Sequence, residues 1–257
     1  MEPEEVFHPL GRTLYSEFYS LEMDNVSGDI LFYLQNIPPQ STVLELGCGT
    51  GRISNALAST CSVTGLDLSF AMLRLAKKLQ SDSPQYVCMD MTQMAFNKSF
   101  DHILIPYNTL NLLGRETLII ACLQQAANLL TPHGNLLFQL YIPDEKLIKT
   151  DGQKTFQFSI FPLKENKGKL IKETIRCYSH DTERITLEER YRLRLSGEPA
   201  KKEDFFHVMH LAGFSLDRWC RLLTTCGFKT FHFFSDSTRT PFIEGQHTLL
   251  LGEVSLF

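Results

Sequence analysis

Short apolar runs alternate with segments of helical period between residues 41 and 141. Val43, Leu44 and Leu46 begin the series with a run that fits a buried strand. Four further strands and three helices are predicted in the same way: the strands Ser62–Asp67, Gln85–Met89, Phe100–Ile105 and Asn135–Tyr141, and the helices Ile53–Ala58, Phe70–Leu79 and Leu118–Leu130. Strands that alternate with helices indicate an open α/β sheet.

The pattern changes to period two between about residue 142 and residue 212. Three runs that alternate apolar and polar residues are predicted strands: Phe156–Phe161, Lys169–Tyr178 and Arg184–Leu195. Turn residues at Asn166-Lys167-Gly168 and Ser179-His180-Asp181 separate these runs. The segment is predicted to be an antiparallel β insertion after the fifth strand, a lid laid over the mouth of the pocket.

The third strand of this insertion has one apolar and one charged face. Arg184, Arg190, Arg192 and Arg194 share the charged face, opposite a face that includes Tyr191. A solvated surface is the ordinary interpretation of such a face. The alternative is a wall that attracts an anionic acceptor.

Helices are predicted before the alternating region, and a helix with two strands is predicted after the insertion. Leu14 and Phe18 are spaced for one amphipathic helix, and Ile30 and Leu34 for a second. Ser215 is a predicted N-cap of a later helix. The last two predicted strands are Phe228–Phe234 and Thr248–Val254. The chain therefore divides into an N-terminal helical cap (1–40), a core (41–141), the lid insertion (142–212) and the completion of the core sheet (213–257).

The composition narrows the class of protein. The chain has 257 residues and a net charge of −4, whereas nucleic-acid binders usually carry a basic excess, so no nucleic-acid partner is expected. Polar residues interrupt the most apolar run, Leu118–Leu130, so no membrane partner is expected either. The seven cysteines include no Cys-x-x-Cys pair, and the N-terminus has no signal pattern. These features favour a cytoplasmic location.

A glycine-rich turn follows the first predicted strand. Gly47, Gly49 and Gly51 stand at alternate positions, and Glu45 precedes them. Glycine lets a ligand approach the backbone, and the next helix points its N-terminal amides into the turn. A dinucleotide fingerprint, Gly-x-Gly-x-x-Gly, requires glycine where this chain has Arg52. A glycine turn that binds no ligand is the other alternative.

This Glu-x-Gly-x-Gly-x-Gly stretch resembles motif I of the class I S-adenosylmethionine-dependent methyltransferases. Gly65-Leu66-Asp67-Leu68-Ser69, with Met72 and Leu73 behind it, resembles motif II of the same family. The resemblance implies a Rossmann-like seven-stranded sheet with an antiparallel last strand. It also implies S-adenosylmethionine as cofactor and S-adenosylhomocysteine as product. It covers residues 41–141 by motifs and 214–254 by pattern alone.

The resemblance further implies which residues bind the cofactor. Asp67 would accept hydrogen bonds from both ribose hydroxyls, and Asp90 would take the adenine amino group. A solvated Asp67 and a turn aspartate at position 90 are the alternatives. The full implied set is Tyr15, Glu45, Gly47, Cys48, Gly49, Asp67, Leu68, Met72, Asp90, Met91 and Tyr107.

Three residues are candidates for the catalytic site. Tyr15 and Tyr19 are four residues apart and share a helix face. Related enzymes use an N-terminal Tyr-x-x-x-Tyr pair to cap the ligand. This resemblance implies that Tyr15 lies in the pocket rather than in the core. Tyr107 follows the fourth predicted strand, where open α/β sheets bind ligands. His207 is a candidate base, and a surface or lid-packing histidine is the alternative. It stands three residues before His210, but this pair lacks a third ligand, so no metal is expected.

The sequence thus predicts an S-adenosylmethionine-dependent methyltransferase that acts on a small-molecule acceptor. Such transfer is an in-line displacement in which the protein chiefly aligns the reactants. Similarity to the branch with amino-sugar and glycine N-methyltransferases implies methylation of an amine nitrogen. O-methylation of a carboxyl or hydroxyl is the main alternative; an RNA or protein methyltransferase and a cofactor-binding pseudo-enzyme are further ones. The protein is expected to be a monomer or a homodimer.

Overall fold

Two β-sheets, one of seven and one of five strands, organise the fold. The computed structural model describes residues 7–24, 26–79, 84–197 and 201–257. The seven-stranded sheet with its flanking helices confirms the predicted α/β class and the Rossmann-like sheet. Within the described ranges, every helix is too short or too polar to cross a lipid bilayer.

The strands and helices have the following bounds. The strands are β1 (His8–Pro9), β2 (Thr42–Leu46), β3 (Ser62–Asp67), β4 (Gln85–Cys88), β5 (Phe100–Ile105), β6 (Leu130–Tyr141), β7 (Lys154–Pro162), β8 (Gly168–Ser179), β9 (Arg184–Leu195), β10 (Lys201–Ala212), β11 (Thr230–Phe234) and β12 (Leu249–Ser255). The α-helices are α1 (Arg12–Met23), α2 (Ile30–Asn36), α3 (Arg52–Leu57), α4 (Phe70–Leu79), α5 (Thr109–Leu112), α6 (Glu116–Leu129), α7 (Glu145–Lys149) and α8 (Leu216–Thr225).

The seven-stranded sheet has the strand order β11-β12-β6-β5-β2-β3-β4. Strands β2 to β6 run parallel to one another, and β12 is antiparallel to both β6 and β11, as expected for the last strand. The chain builds outward from β2 on one side and from β5 on the other. Open α/β sheets bind ligands at the carboxyl ends of the strands beside such a reversal. The glycine turn after β2 and Tyr107 after β5 meet at this point.

Helices cover both faces of this sheet with apolar side chains. Alternate residues of β2 point to opposite faces, so Leu44 and Leu46 join one core while Val43 joins the other. The larger core packs α6 and α8, including the buried Trp219, against β5 and β6. The smaller core packs α2 and α3 against the opposite face. These two layers hold the carboxyl ends of β2, β3 and β5 in place.

The five-stranded sheet has the order β1-β10-β9-β8-β7 and is antiparallel except for β1, which pairs in parallel with β10. Its inner face packs on α1: the Phe18 ring lies 5.2 Å from the Tyr191 ring, and both pack with Leu170. On its other side, α1 places the Tyr19 ring against the glycine turn, where a Cβ added to Gly49 would lie 3.4 Å away. Helix α1 therefore lies between the five-stranded sheet and the carboxyl edge of the seven-stranded sheet.

The arginines of β9 lie on the outer face of the five-stranded sheet, the face turned away from α1. Arg190 lies 2.7 Å from Glu188, and Arg192 lies 3.6 Å from Glu173. These two side chains are paired with acids rather than freely solvated. Their position on the face turned away from α1 favours a surface role over a wall around the acceptor.

Strand β10 belongs to the insertion but is not predicted by the sequence pattern, which gives only three strands there. Its apolar residues fall on both faces: Phe205 packs inward with α1, while Phe206 and Val208 are exposed. A strand with two apolar faces loses the alternation by which strands are recognised. The short helix α7 and the two-residue β1 also lie outside the predicted set.

Strand β6 begins at Leu130, five residues before the start of the predicted strand Asn135–Tyr141. The pairing of β5 with β6 shifts register between Phe100 and His102. Leu130 and Asn135 pair with β5 residues that are only two positions apart, so residues 131–134 bulge out of the ladder.

Candidate active site

The glycine turn joins β2 to α3 with a backbone that side chains would disrupt. Gly47 and Gly51 have φ angles of +69° and +81°, in the left-handed region. A Cβ at Gly47 would overlap the Thr109 side chain, and one at Gly51 would overlap the Tyr86 hydroxyl. Glycine is therefore required at both positions by conformation and by space.

Replacement of Gly51 by alanine should lower the free energy of unfolding by about 3 kcal/mol, from the left-handed backbone and the overlap with Tyr86. Urea denaturation measures this loss. In a Tyr86→Phe background the overlapping oxygen is gone, so the loss should shrink to about 1–2 kcal/mol. Gly28→Ala is the matched control, since a Cβ there meets nothing within 4 Å. Equal losses at Gly28 and Gly51 would contradict this interpretation.

Glu45 lies beneath the turn rather than on its surface. Its side chain is buried, with 2% of the residue exposed, and it accepts a hydrogen bond from the Ser54 hydroxyl of α3. Burial raises the pKa of Glu45 to about 7. Next to it, the amide of Cys48 donates to the carbonyl of Leu66 at 2.9 Å, and the Cys48 side chain is buried. Glu45 and Cys48 thus fix the shape of the turn from inside the protein.

Asp67 joins the end of β3 to the glycine turn. One carboxylate oxygen accepts from the Gly49 amide at 2.9 Å, and the other accepts from the Ser69 amide at 2.7 Å. Burial raises the pKa of Asp67, and these two hydrogen bonds oppose the rise. A carboxylate oxygen can accept two hydrogen bonds, so each oxygen retains capacity for a ligand hydroxyl. Beyond it, the Leu68 side chain is 64% exposed, whereas that of Met72 is buried.

Asp90 and Met91 follow β4 at the same edge of the sheet. One Asp90 oxygen accepts from both the amide and the hydroxyl of Thr92, each at 2.8 Å. This is the geometry of a turn aspartate, and it leaves the second oxygen outside the turn. The Met91 side chain is partly buried against the larger core.

Four rings gather where α1 and β10 meet the glycine turn. The Tyr15 ring lies 4.7 Å from the His207 ring and 6.3 Å from the Tyr19 ring, and Tyr19 lies 6.4 Å from Tyr107. The structure therefore brings together the three candidate catalytic residues through Tyr19. We call Tyr15, Tyr19, Tyr107 and His207 the ring cluster.

Tyr107 and its neighbour Asn108 carry backbone strain. Their φ angles are +52° and +61°, and such residues cost about 1–3 kcal/mol each. The Asn108 side-chain oxygen is buried without a hydrogen-bond partner in the described part of the chain. The Arg52 guanidinium lies 5.9 Å from the centre of the Tyr107 ring, and Asp29 holds Arg52 with two hydrogen bonds of 2.5 and 2.7 Å. Strain of this kind is concentrated at functional sites.

The ionisable groups of the ring cluster have shifted pKa values. Burial, and after it the charges of Glu189 and Glu22, raises the pKa of Tyr15. Tyr15 therefore stays protonated at neutral pH and can donate a hydrogen bond but cannot act as a base. Burial lowers the pKa of His207, so its imidazole is neutral and able to accept a proton at neutral pH.

His210 lies apart from the ring cluster. Its ring contacts the Thr186 hydroxyl at 3.1 Å, on the opposite face of β10 from His207. Across the described ranges, no three His, Cys, Asp or Glu side chains are grouped to hold a metal ion. A groove of about 370 Å³ between α1 and β9, lined by residues such as Leu14 and Leu193, contains none of the predicted site residues.

Three charged residues beside the ring cluster are absent from the sequence prediction. They are Glu22 of α1, Lys172 of β8 and Glu189 of β9, and Lys172 lies within ion-pair distance of both carboxylates. A weak signal exists: Lys172 and Glu189 interrupt the apolar faces of their strands, each two residues from a buried side chain. Period two alone cannot show that these interruptions meet in space.

Known methyltransferases resemble this chain in sequence and in fold. A family model described as a methyltransferase domain matches residues 43–134. A putative methyltransferase of Bacillus subtilis is 27% identical over 209 residues, 80% of this chain and 80% of the relative. These matches indicate a class I S-adenosylmethionine-dependent methyltransferase.

Solved structures agree with this methyltransferase in fold. An S-adenosylmethionine-dependent methyltransferase from Clostridium acetobutylicum matches with a TM-score of 0.76 at 17% identity, over 94% of this chain and 98% of that one. An amino pentose methyltransferase from Micromonospora echinaspora matches with a TM-score of 0.69 at 18% identity, over 98% and 99% of the two chains.

The methyltransferase uses S-adenosylmethionine as methyl donor, and the residues at the carboxyl edge fit this molecule. The glycine turn offers backbone that side chains at Gly47 and Gly51 would block. The Asp67 carboxylate stands beside the turn and retains acceptor capacity for hydroxyl groups.

Proposed function

We propose that this methyltransferase acts on a small-molecule acceptor and methylates an amine nitrogen. The observation that carries the proposal is the ring cluster, enclosed between α1, β10 and the glycine turn. A site covered by a helix and a five-stranded sheet suits a small acceptor better than a polymer. The fold likeness to an amino pentose methyltransferase supports an acceptor that carries an amino group.

The proposed roles follow from position and charge. When bound, the cofactor supplies a methyl group already activated by a sulfonium. Gly47, Gly49 and Asp67 would hold it, with Glu45 and Cys48 shaping the turn from below. Asp90 and Met91 would meet its adenine, together with Leu68 and Met72. Tyr15 and Tyr107 would border the acceptor and exclude water, which lets alignment supply most of the rate.

His207 would take the proton that an ammonium acceptor must lose before its lone pair can attack. Its neutral imidazole lies in the ring cluster, opposite Glu189 in the β9–β10 register. The imidazole would take the proton from the amine, and the freed lone pair would form the new N–C bond to the methyl group that the bound cofactor supplies, with S-adenosylhomocysteine as the leaving group.

Replacement of His207 by asparagine should lower kcat/KM for the amine about tenfold at pH 8. It should also remove the acid limb, which is the fall of wild-type kcat/KM below pH 6.5. The limb arises because His207, with its lowered pKa, becomes protonated and can no longer accept a proton. The ratio of wild-type to variant kcat/KM across pH 5 to 9 cancels the titration of the amine itself. Glu189 and Lys172 face the ring from β9 and β8, so a shifted rather than absent limb in the variant would contradict the role.

The experiment that tests the function is methyl transfer from labelled S-adenosylmethionine to acceptors of matched skeleton. An amine, an alcohol, a carboxylate and a thiol are compared, with transfer RNA and a peptide mixture beside them. The amine should be methylated with at least tenfold higher kcat/KM than the alcohol. Transfer to the carboxylate or hydroxyl alone would support the O-methyltransferase instead. Donor binding without turnover of any acceptor would show a pseudo-enzyme.

A further inference from the structure

Glu22, Lys172 and Glu189, which we call the ion triad, form a buried charge cluster beside the ring cluster. The Lys172 ammonium lies 2.6 Å from a Glu22 oxygen and 2.6 Å from a Glu189 oxygen. The side chains of Glu22, Lys172 and Glu189 are 10%, 14% and 6% exposed. Since α1, β8 and β9 each supply one member, the triad exists only when α1 is seated on the inner face of the five-stranded sheet.

The triad contains one more negative than positive charge. Lys172 balances one carboxylate, and the Tyr191 hydroxyl donates to Glu189 at 3.0 Å. The second Glu22 oxygen is buried and has no hydrogen-bond partner in the described ranges. A buried acceptor without a donor costs about 1–3 kcal/mol, so the chain compensates the charge on this oxygen incompletely. Burial raises the pKa of Glu22, and Lys172 opposes that rise.

The triad borders the ring cluster from the side of the five-stranded sheet. Glu189 stands directly opposite His207 in the β9–β10 pairing, so the two side chains share the inner face. After burial, Glu189 and Glu22 are the main charges acting on Tyr15, and Lys172 and Glu22 are those acting on Tyr107. The charges of the triad therefore reach both tyrosines proposed to border the acceptor.

We propose that the ion triad is a charge filter, which favours acceptors carrying an ammonium group and rejects carboxylates. The inference rests on the proposed function and names its substrate class: amines that are cationic in solution. The surplus negative charge attracts a cation strongly, because the site is shielded from water. A carboxylate meets the same charge as repulsion, and an uncharged alcohol is nearly indifferent to it.

The filter can be tested with three probes that share one ring and differ in charge. Cyclohexylamine, cyclohexanol and cyclohexanecarboxylate are titrated by calorimetry, at pH 7.5, into protein saturated with S-adenosylhomocysteine. The amine should bind at least fivefold tighter than the alcohol, and the carboxylate should not bind. Glu22→Gln should weaken the amine at least fivefold and leave the alcohol unchanged. Glu189→Gln should act in the same direction.

Glu17→Gln is the matched control, because Glu17 lies on the exposed side of the same helix; it should change none of the three affinities. Equal weakening of amine and alcohol in Glu22→Gln would show that the triad only braces α1, and would overturn the filter. Binding of the carboxylate as tightly as the amine would overturn it too, as would no amine binding up to 50 mM.

Failure of the filter and failure of the proposed function are separable. Turnover of amines by an enzyme whose Glu22→Gln variant has unchanged amine affinity would overturn the filter alone. The opposite result is also possible: the wild type binds the amine more tightly than the alcohol and the carboxylate, Glu22→Gln loses this preference, and no amine is methylated. That result would support the filter and refute the proposed N-methylation.

Discussion

Replacing Asp67 by alanine should weaken binding of S-adenosylhomocysteine about a hundredfold, or roughly 3 kcal/mol. Hydrogen bonds to a buried carboxylate are strong, and the variant loses the proposed bonds to the ribose. It also loses the two bonds that hold the Gly49 and Ser69 amides in place. Calorimetry at fixed pH measures the change. Asp181→Ala, at an exposed turn of the lid, is the control and should bind as the wild type does.

A second ligand separates the direct role of Asp67 from its role in shaping the turn. S-adenosylhomocysteine without its 2′ and 3′ hydroxyls cannot make the proposed bonds to Asp67. With this ligand the wild type has no ribose bonds to lose in Asp67→Ala. The ratio of wild-type to variant affinity should therefore fall to about threefold. A ratio that stays near a hundredfold would refute ribose binding and leave Asp67 as a residue that only shapes the turn.

The pH dependence of stability should change most in Glu45→Gln. Burial raises the pKa of Glu45 from 4.5 in the unfolded chain to about 7 in the folded protein. The folded protein therefore holds a proton that the unfolded chain releases, and wild-type stability falls as pH rises from 4.5 through 7. The expected fall is about 3 kcal/mol. Glutamine is neutral at every pH, so the variant should lack this fall.

Urea denaturation between pH 4.5 and pH 8.5 tests the prediction through the difference between the two proteins. That difference cancels the other titrating groups, and it should grow in favour of the variant up to about pH 7 and then stay level. Ser54→Ala is informative beside it, because the Ser54 hydrogen bond lowers the pKa of Glu45. Without this hydrogen bond the pKa of Glu45 rises further, so the fall of stability in Ser54→Ala should extend to higher pH. A difference that is flat across the range would show that Glu45 is ionised throughout.

The elements that the sequence predicts well are those whose signals are local. Strand β3, helix α4 and strand β5 begin and end where the pattern places them. Helix α4 is preceded by Ser69, whose hydroxyl accepts from the Met72 amide at 3.4 Å, and such a cap is visible in sequence. The glycine turn is likewise local, since its spacing and its preceding acid are read from seven residues.

The rest depends on contacts between distant residues. Nothing near Glu22 shows that Lys172, 150 positions later, will meet it. The left-handed backbone at Tyr107 has no sequence signal either, because tyrosine does not favour that conformation. The roles of Tyr15, Tyr107 and His207 stay predictions, although their rings lie in one cluster.

The position of α1 has a consequence for the order in which the protein folds during translation. The surface that covers this helix is made by strands that end at Ala212, and His8 pairs with Phe205. During translation, the apolar side of α1 has no complement until those strands have left the ribosome. The growing chain therefore exposes this amphipathic helix through most of its elongation, and exposed apolar surface of this kind promotes aggregation until the covering strands form.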